Sequence, residues 1–204
     1  MADVIDSWSN KSAELRVLFD PISTFQQLAS EQTGGLWVLV RRPLRLLFVC
    51  GCSVSLWASG RLGVRLIADG AVSFAFLPVF SLIALAVVYR RSPRRVSFAQ
   101  AADLFSIANA PWLLWLVAFA TLRCLEPPTQ AAAQPLILAA AIKLSLVVVA
   151  AWSTYVDLLF FRQVLPHPGG SARDLILQRA IGWTCSVVYF FGIALWPIVV
   201  EYLG

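Results

Sequence analysis

Residues 71–89 read AVSFAFLPVFSLIALAVVY and run straight into RRSPRR at 90–95. The first stretch carries no charge over nineteen residues, close to the about 20 apolar residues that a helix needs to cross a hydrocarbon core of about 30 Å. The second places four arginines at its end, and basic residues are retained on the cytoplasmic side of a membrane. Together they read as a membrane span whose C-terminal end is held inside. The composition agrees: 59% of the 204 residues are hydrophobic and 13% are charged, against about 45–50% and about 25% in soluble domains. That excludes an ordinary cytosolic enzyme, a disordered chain and a disulfide scaffold.

Outward from this span, four further stretches are long enough to cross: 44–60, 104–122, 135–161 and 180–202. The expected fold is therefore all-α. A five-helix transmembrane domain over 44–204 follows an N-terminal cytoplasmic segment over 1–43. The first span is short, with Arg45 and Arg61 at its ends, where long side chains reach the headgroups. The fourth is about 40 Å long and is expected to tilt. Ten arginines fall near the membrane ends on one side (Arg41, Arg42, Arg45, Arg90, Arg91, Arg94, Arg95, Arg162, Arg173 and Arg179). Three fall on the other, Arg61, Arg65 and Arg123. This places the N-terminus inside and the C-terminus outside. The net charge of +5 is thus mainly an orientation signal, and the loop Arg90, Arg91, Arg94, Arg95 is expected to meet lipid headgroups, not nucleic acid. The polar start, 1–14, does not resemble a cleavable signal.

Local chemistry marks the helix ends. Ser97 with Gln100, and Ser171 with Asp174, have capping-box spacing. Asp69 and Pro135 are plausible starts on the outer side. Pro78, Pro111 and Pro197 lie inside spans and are expected to kink them. Upstream, Asp20 and Pro21 form a cap-then-proline start. Ile22, Phe25 and Leu28 then share one face of a short amphipathic helix, opposite Ser23, Gln26 and Gln27, with Gly34 and Gly35 as its end. Its apolar face is expected on the inner membrane surface, with Trp37 at headgroup depth. Docking on a protein partner is the alternative, which periodicity does not separate.

Chemistry-bearing residues are few. Cys50, Cys52, Cys124 and Cys185 lie in or beside apolar runs, and residues two apart on a helix point about 160° apart, so Cys50 and Cys52 cannot bridge while helical. The single histidine, His167, sits in a turn-forming Pro-His-Pro-Gly-Gly loop and is read as a loop residue. Two ionisable residues fall within spans, Lys143 and Asp157. They are about 21 Å apart along one helix and so do not pair with each other. Asp157 is expected to meet Arg162 or a loop arginine, and Lys143 to reach the outer interface. No nucleophile triad, P-loop, dinucleotide glycine pattern or zincin motif is present, so no enzyme activity and no cofactor or metal are expected. Gly51, Ser55 and Ser59 repeat every four residues, a small-residue stripe that permits close helix approach to a neighbour in this chain or another.

Several short motifs resemble the Yip1 family of five-span membrane proteins in its bacterial form. They are Leu18-Phe19-Asp20-Pro21 with Thr24-Phe25; Ser97-Phe98-Ala99-Gln100 with Asn109-Ala110-Pro111; and Trp152, then a glycine- and serine-bearing loop, then Arg179-Ala180. They span roughly residues 15–203. The resemblance implies N-terminus in and C-terminus out, no catalytic residues, and work through contact with other membrane proteins. The eukaryotic signature segments have no copy here, so small-GTPase binding is not carried over.

The expected protein is therefore a non-enzymatic, multi-pass protein of the bacterial inner membrane, bound to lipid and to other integral membrane proteins. The arginine-heavy basic set, 14 against 2 lysines, suits that source. Two alternatives stay open: an accessory subunit of an ABC-type transport or energy-transducing complex, and a small transporter using Lys143 and Asp157.

Overall fold

The computed structural model describes residues 12–31, 35–92, 96–125 and 136–203. Every regular element among them is helical: α1 (Ala13–Phe19), α2 (Pro21–Ser30), α3 (Leu36–Ser59), α4 (Val64–Ser73), α5 (Phe76–Tyr89), α6 (Phe98–Ile107), α7 (Ala110–Leu125), α8 (Leu136–Gln163) and α9 (Ser171–Leu203). Three stretches are long and apolar enough to cross a membrane: Val64–Tyr89, Ala140–Gln163 and Ser171–Ile193. They become four if Phe98–Ile107 and Ala110–Leu122, bent by 41°, form one span. The expected 44–60 span is not among them. It is the C-terminal part of α3, and Arg41 and Arg42 just before it, with Arg45 near its start, lower the apolarity of the whole helix.

The prolines explain two breaks. A proline ring collides with the carbonyl four residues upstream and offers that carbonyl no N–H. Four residues before Pro78 is Phe74, where α4 stops. Four before Pro111 is Ile107, the last residue of α6. Both helices resume just after the break. The backbone of α9, in contrast, is continuous through Pro197.

Caps follow the local sequence in part. Asp20 accepts from the Ser23 N–H at 3.2 Å and caps α2, with Pro21 at its first position. Ser97 accepts from the Gln100 N–H at 3.2 Å. The Gln100 side chain does not complete the box: its amide donates to the carbonyls of Leu28, Ala29 and Glu31, at 3.1, 3.3 and 2.6 Å. It closes the C-terminus of α2, which ends at Ser30, ahead of Gly34 and Gly35. At α9 the carbonyl of Gly170, a positive-φ residue, receives the Arg173 and Asp174 N–H groups, and Ser171 is already helical.

Two packing centres hold the helices together. At the arginine-rich end, Phe25, Phe105, Phe160 and Phe161 meet edge-on or tilted, with ring centres 5.2–6.2 Å apart, among Val17, Ala101, Ile107 and Leu165. Such pairs add about 0.5–1.5 kcal/mol each beyond area burial. Nearer the other end, α3 and α4 fold back on one another through residues 60–63. Their closest approach is Gly51 against Ile67 and Gly70: a Cβ on Gly51 would stand 2.3 Å from the Ile67 carbonyl oxygen. Phe76 and Phe80 of α5 pack on Tyr189 and Phe190 of α9.

Candidate functional site

The most connected polar cluster lies where α3 leaves the N-terminal helices. Asp103, the one charged residue of α6, is 3% exposed. Its carboxylate accepts from Arg41 Nε (2.9 Å) and Nη2 (2.8 Å), and from Arg42 Nε (2.8 Å). Arg42 also pairs with Glu14 of α1, and Arg45 makes a longer contact with the same carboxylate, 3.4 Å. Arg41 and Arg42 reach Asp103 on α6, whereas Arg45, one turn further along the same side of α3, keeps a side chain that is 64% exposed. Three cations against two carboxylates leave one positive charge. Buried hydrogen-bonded pairs are sensitive to single deletions, because losing one partner strands the other charge.

The other span ionisables separate. Asp157 is 5% exposed and pairs with Arg179, a residue of the loop expected before the last span and here part of α9, while Arg162, the other expected partner, is exposed. Burial selects Arg179, which packs across the α8–α9 contact. Lys143 is exposed on α8. Three buried side-chain oxygens, Ser92 Oγ, Asp174 Oδ2 and Gln178 Oε1, have no hydrogen-bond partner. The His167 ring is half-buried, and its Nδ1 accepts from the Gly169 N–H at 2.9 Å. Among the described residues no three His, Cys, Asp or Glu side chains could hold a metal, and Cys50, Cys52 and Cys185 are free thiols.

The expected contact surface is divided. Phe25 is fully buried against Phe160, and Leu28 packs at the edge of the same core. Phe25 is therefore turned into its own chain, and α2 packs on α6 and α8 through this part of its apolar face. Ile22 is exposed, as are Arg90 and Arg91. Arg94 and Arg95 lie outside the described residues. The small-residue stripe also turns inward. Gly51 meets α4, and the Ser55 hydroxyl accepts from the Gly63 N–H and donates to the Arg61 carbonyl. The Ser59 hydroxyl lies within 3.0 Å of both the Ser55 and Arg61 carbonyls. Trp115 donates to Ser145 on α8 and stacks on Phe119, so this tryptophan too is engaged within the chain.

Sequence reading missed Asp103. It stands immediately before the apolar run 104–122, and its partners lie about sixty residues upstream, so no local spacing links them. A lone carboxylate on an apolar helix, with arginines at 41, 42 and 45 on another, was the available signal. Comparison with known proteins finds no family model, no curated protein and no solved structure that matches this chain.

Proposed function

We propose that this chain is a non-enzymatic integral membrane protein with five spans, N-terminus cytoplasmic and C-terminus outside, that organises or supports other membrane proteins. The observation that carries the reading is the orientation of α3. Its two most deeply paired arginines face Asp103 inside the protein, while Leu36, Trp37, Val40, Leu44 and Phe48 are exposed on its outer side. A helix whose two deepest charges are paired internally and whose outer face is mostly apolar suits lipid, whatever its average composition. Adding α3 to the other apolar stretches, with α6 and α7 as one bent span, makes five and agrees with the arginine asymmetry. The Yip1-like motifs support the same arrangement, and the arginine-rich composition supports a bacterial inner membrane.

A contact role draws on two further features. The N-terminal helices form a docked cap at the arginine-rich end, with Ile22 facing out. The last helix exposes Trp183, Val188 and Phe191, which also favours the second reading, an accessory subunit packed on a larger transport or energy-transducing complex.

Purification of the full chain in mild detergent, with and without Ile22→Glu, tests the contact role. A companion membrane protein should co-purify and be depleted by the substitution. A monodisperse chain with no companion, in both forms, would contradict it.

A further inference from the structure

The network on α3 is not charge-balanced, and its surplus is localised. Arg41 and Arg42 each make close contacts with buried or half-buried carboxylates. Arg45 makes one contact, at 3.4 Å, with a carboxylate that Arg42 already engages. Its guanidinium has five N–H donors, of which this contact uses one, and its side chain is 64% exposed.

The surroundings of Arg45 are those of an interface. On a helical wheel Phe48 lies about 60°, Trp37 about 80° and Leu44 about 100° to one side of Arg45, and all three are exposed, while Arg41, about 40° to the same side, is turned into Asp103. Trp37 precedes Arg45 by about 12 Å along the axis, toward the end where the other arginines gather, and Phe48 follows it by about 4.5 Å toward the apolar end. Arg45 stands at the start of the apolar run 44–60, where a long cationic side chain reaches back to the headgroups. An exposed cation there lies within reach of a lipid phosphate, with the exposed apolar side chain of Phe48 one turn further in.

From this charge surplus and its depth we infer that Arg45 binds the phosphate of an anionic phospholipid, lodged on the outer face of α3. Two parallel N–H groups of the guanidinium match two phosphate oxygens, and the unbalanced positive charge selects a net-negative lipid over a zwitterionic one. The inference rests on α3 being membrane-embedded. Reaction of a cysteine at position 61 with an impermeant thiol reagent reports that embedding separately, so failure of the site is distinguishable from failure of the topology.

The test is lipid titration of the purified full chain in detergent, followed by native mass spectrometry and thermal unfolding. The probes are phosphatidylglycerol, phosphatidylcholine and inorganic phosphate. Phosphatidylglycerol should bind and raise the melting temperature. Arg45→Gln should weaken that binding about tenfold or more, the loss of a charge-assisted hydrogen-bond pair. Arg45→Lys, which keeps the charge without the fork, should fall between, and covers the case in which the glutamine variant does not fold. Arg65→Gln, at an exposed position on α4, should leave binding unchanged. Equal phosphatidylglycerol binding by native protein and both Arg45 variants would overturn the site. Equal binding of phosphatidylcholine would overturn its selectivity, and an equal shift from inorganic phosphate would overturn lipid as the source.

Discussion

Phe25 shows what a single residue decides here. The periodicity that places it on the apolar face of α2 is correct, but the surface it meets is Phe160 of the same chain. Phe25→Asp is therefore expected to unfold the N-terminal cap and cost about 3–5 kcal/mol or more, by cavity formation and an unpaired buried charge. Thermal unfolding monitored by tryptophan fluorescence checks this; a variant as stable as the native chain would count against the packing. Asp103→Asn leaves the Arg41 and Arg42 charges only partly compensated and is expected to destabilise by about 3 kcal/mol. Gly51→Ala places a methyl group against the Ile67 carbonyl. Strain of about 1–3 kcal/mol is expected, read as a lowered melting temperature.

Among the elements, the helices themselves were the most legible part of the sequence. Long apolar runs and Gly or Pro punctuation located most of them, because a backbone in lipid must satisfy its hydrogen bonds within a helix. Starts and breaks were less legible. The structure begins α3 at Leu36, well ahead of 44, because paired arginines are tolerated in a helix that turns them inward. The break at residues 108–109 is displaced from Pro111 by the reach of a proline ring, one turn upstream. Pro111→Ala should restore the missing N–H to the Ile107 carbonyl and reduce the 41° bend. Spin-label distances between the ends of α6 and α7 should lengthen; unchanged distances would show that packing, not proline, sets the bend. The small-residue stripe illustrates the limit of periodicity: it announces a close neighbour for Gly51, and only the three-dimensional fold identifies that neighbour as α4.

For the whole molecule, composition revealed the membrane character and long-range contacts supplied the rest. The Arg41–Arg42–Asp103–Glu14 network joins residues far apart in the chain, so its existence depends on the assembled bundle and was invisible to local reading. The same network decides how α3 is understood. By average apolarity it falls short of a span, whereas the direction in which its two deepest charges face suits it to lipid. The five-span account therefore turns on which side of the membrane residue 61 occupies. With Cys50, Cys52, Cys124 and Cys185 replaced, Arg61→Cys should react with a membrane-impermeant maleimide added outside intact cells, while Arg90→Cys should react only after the membrane is opened. Protection of both positions until the membrane is opened would place residue 61 on the inner side and contradict the account.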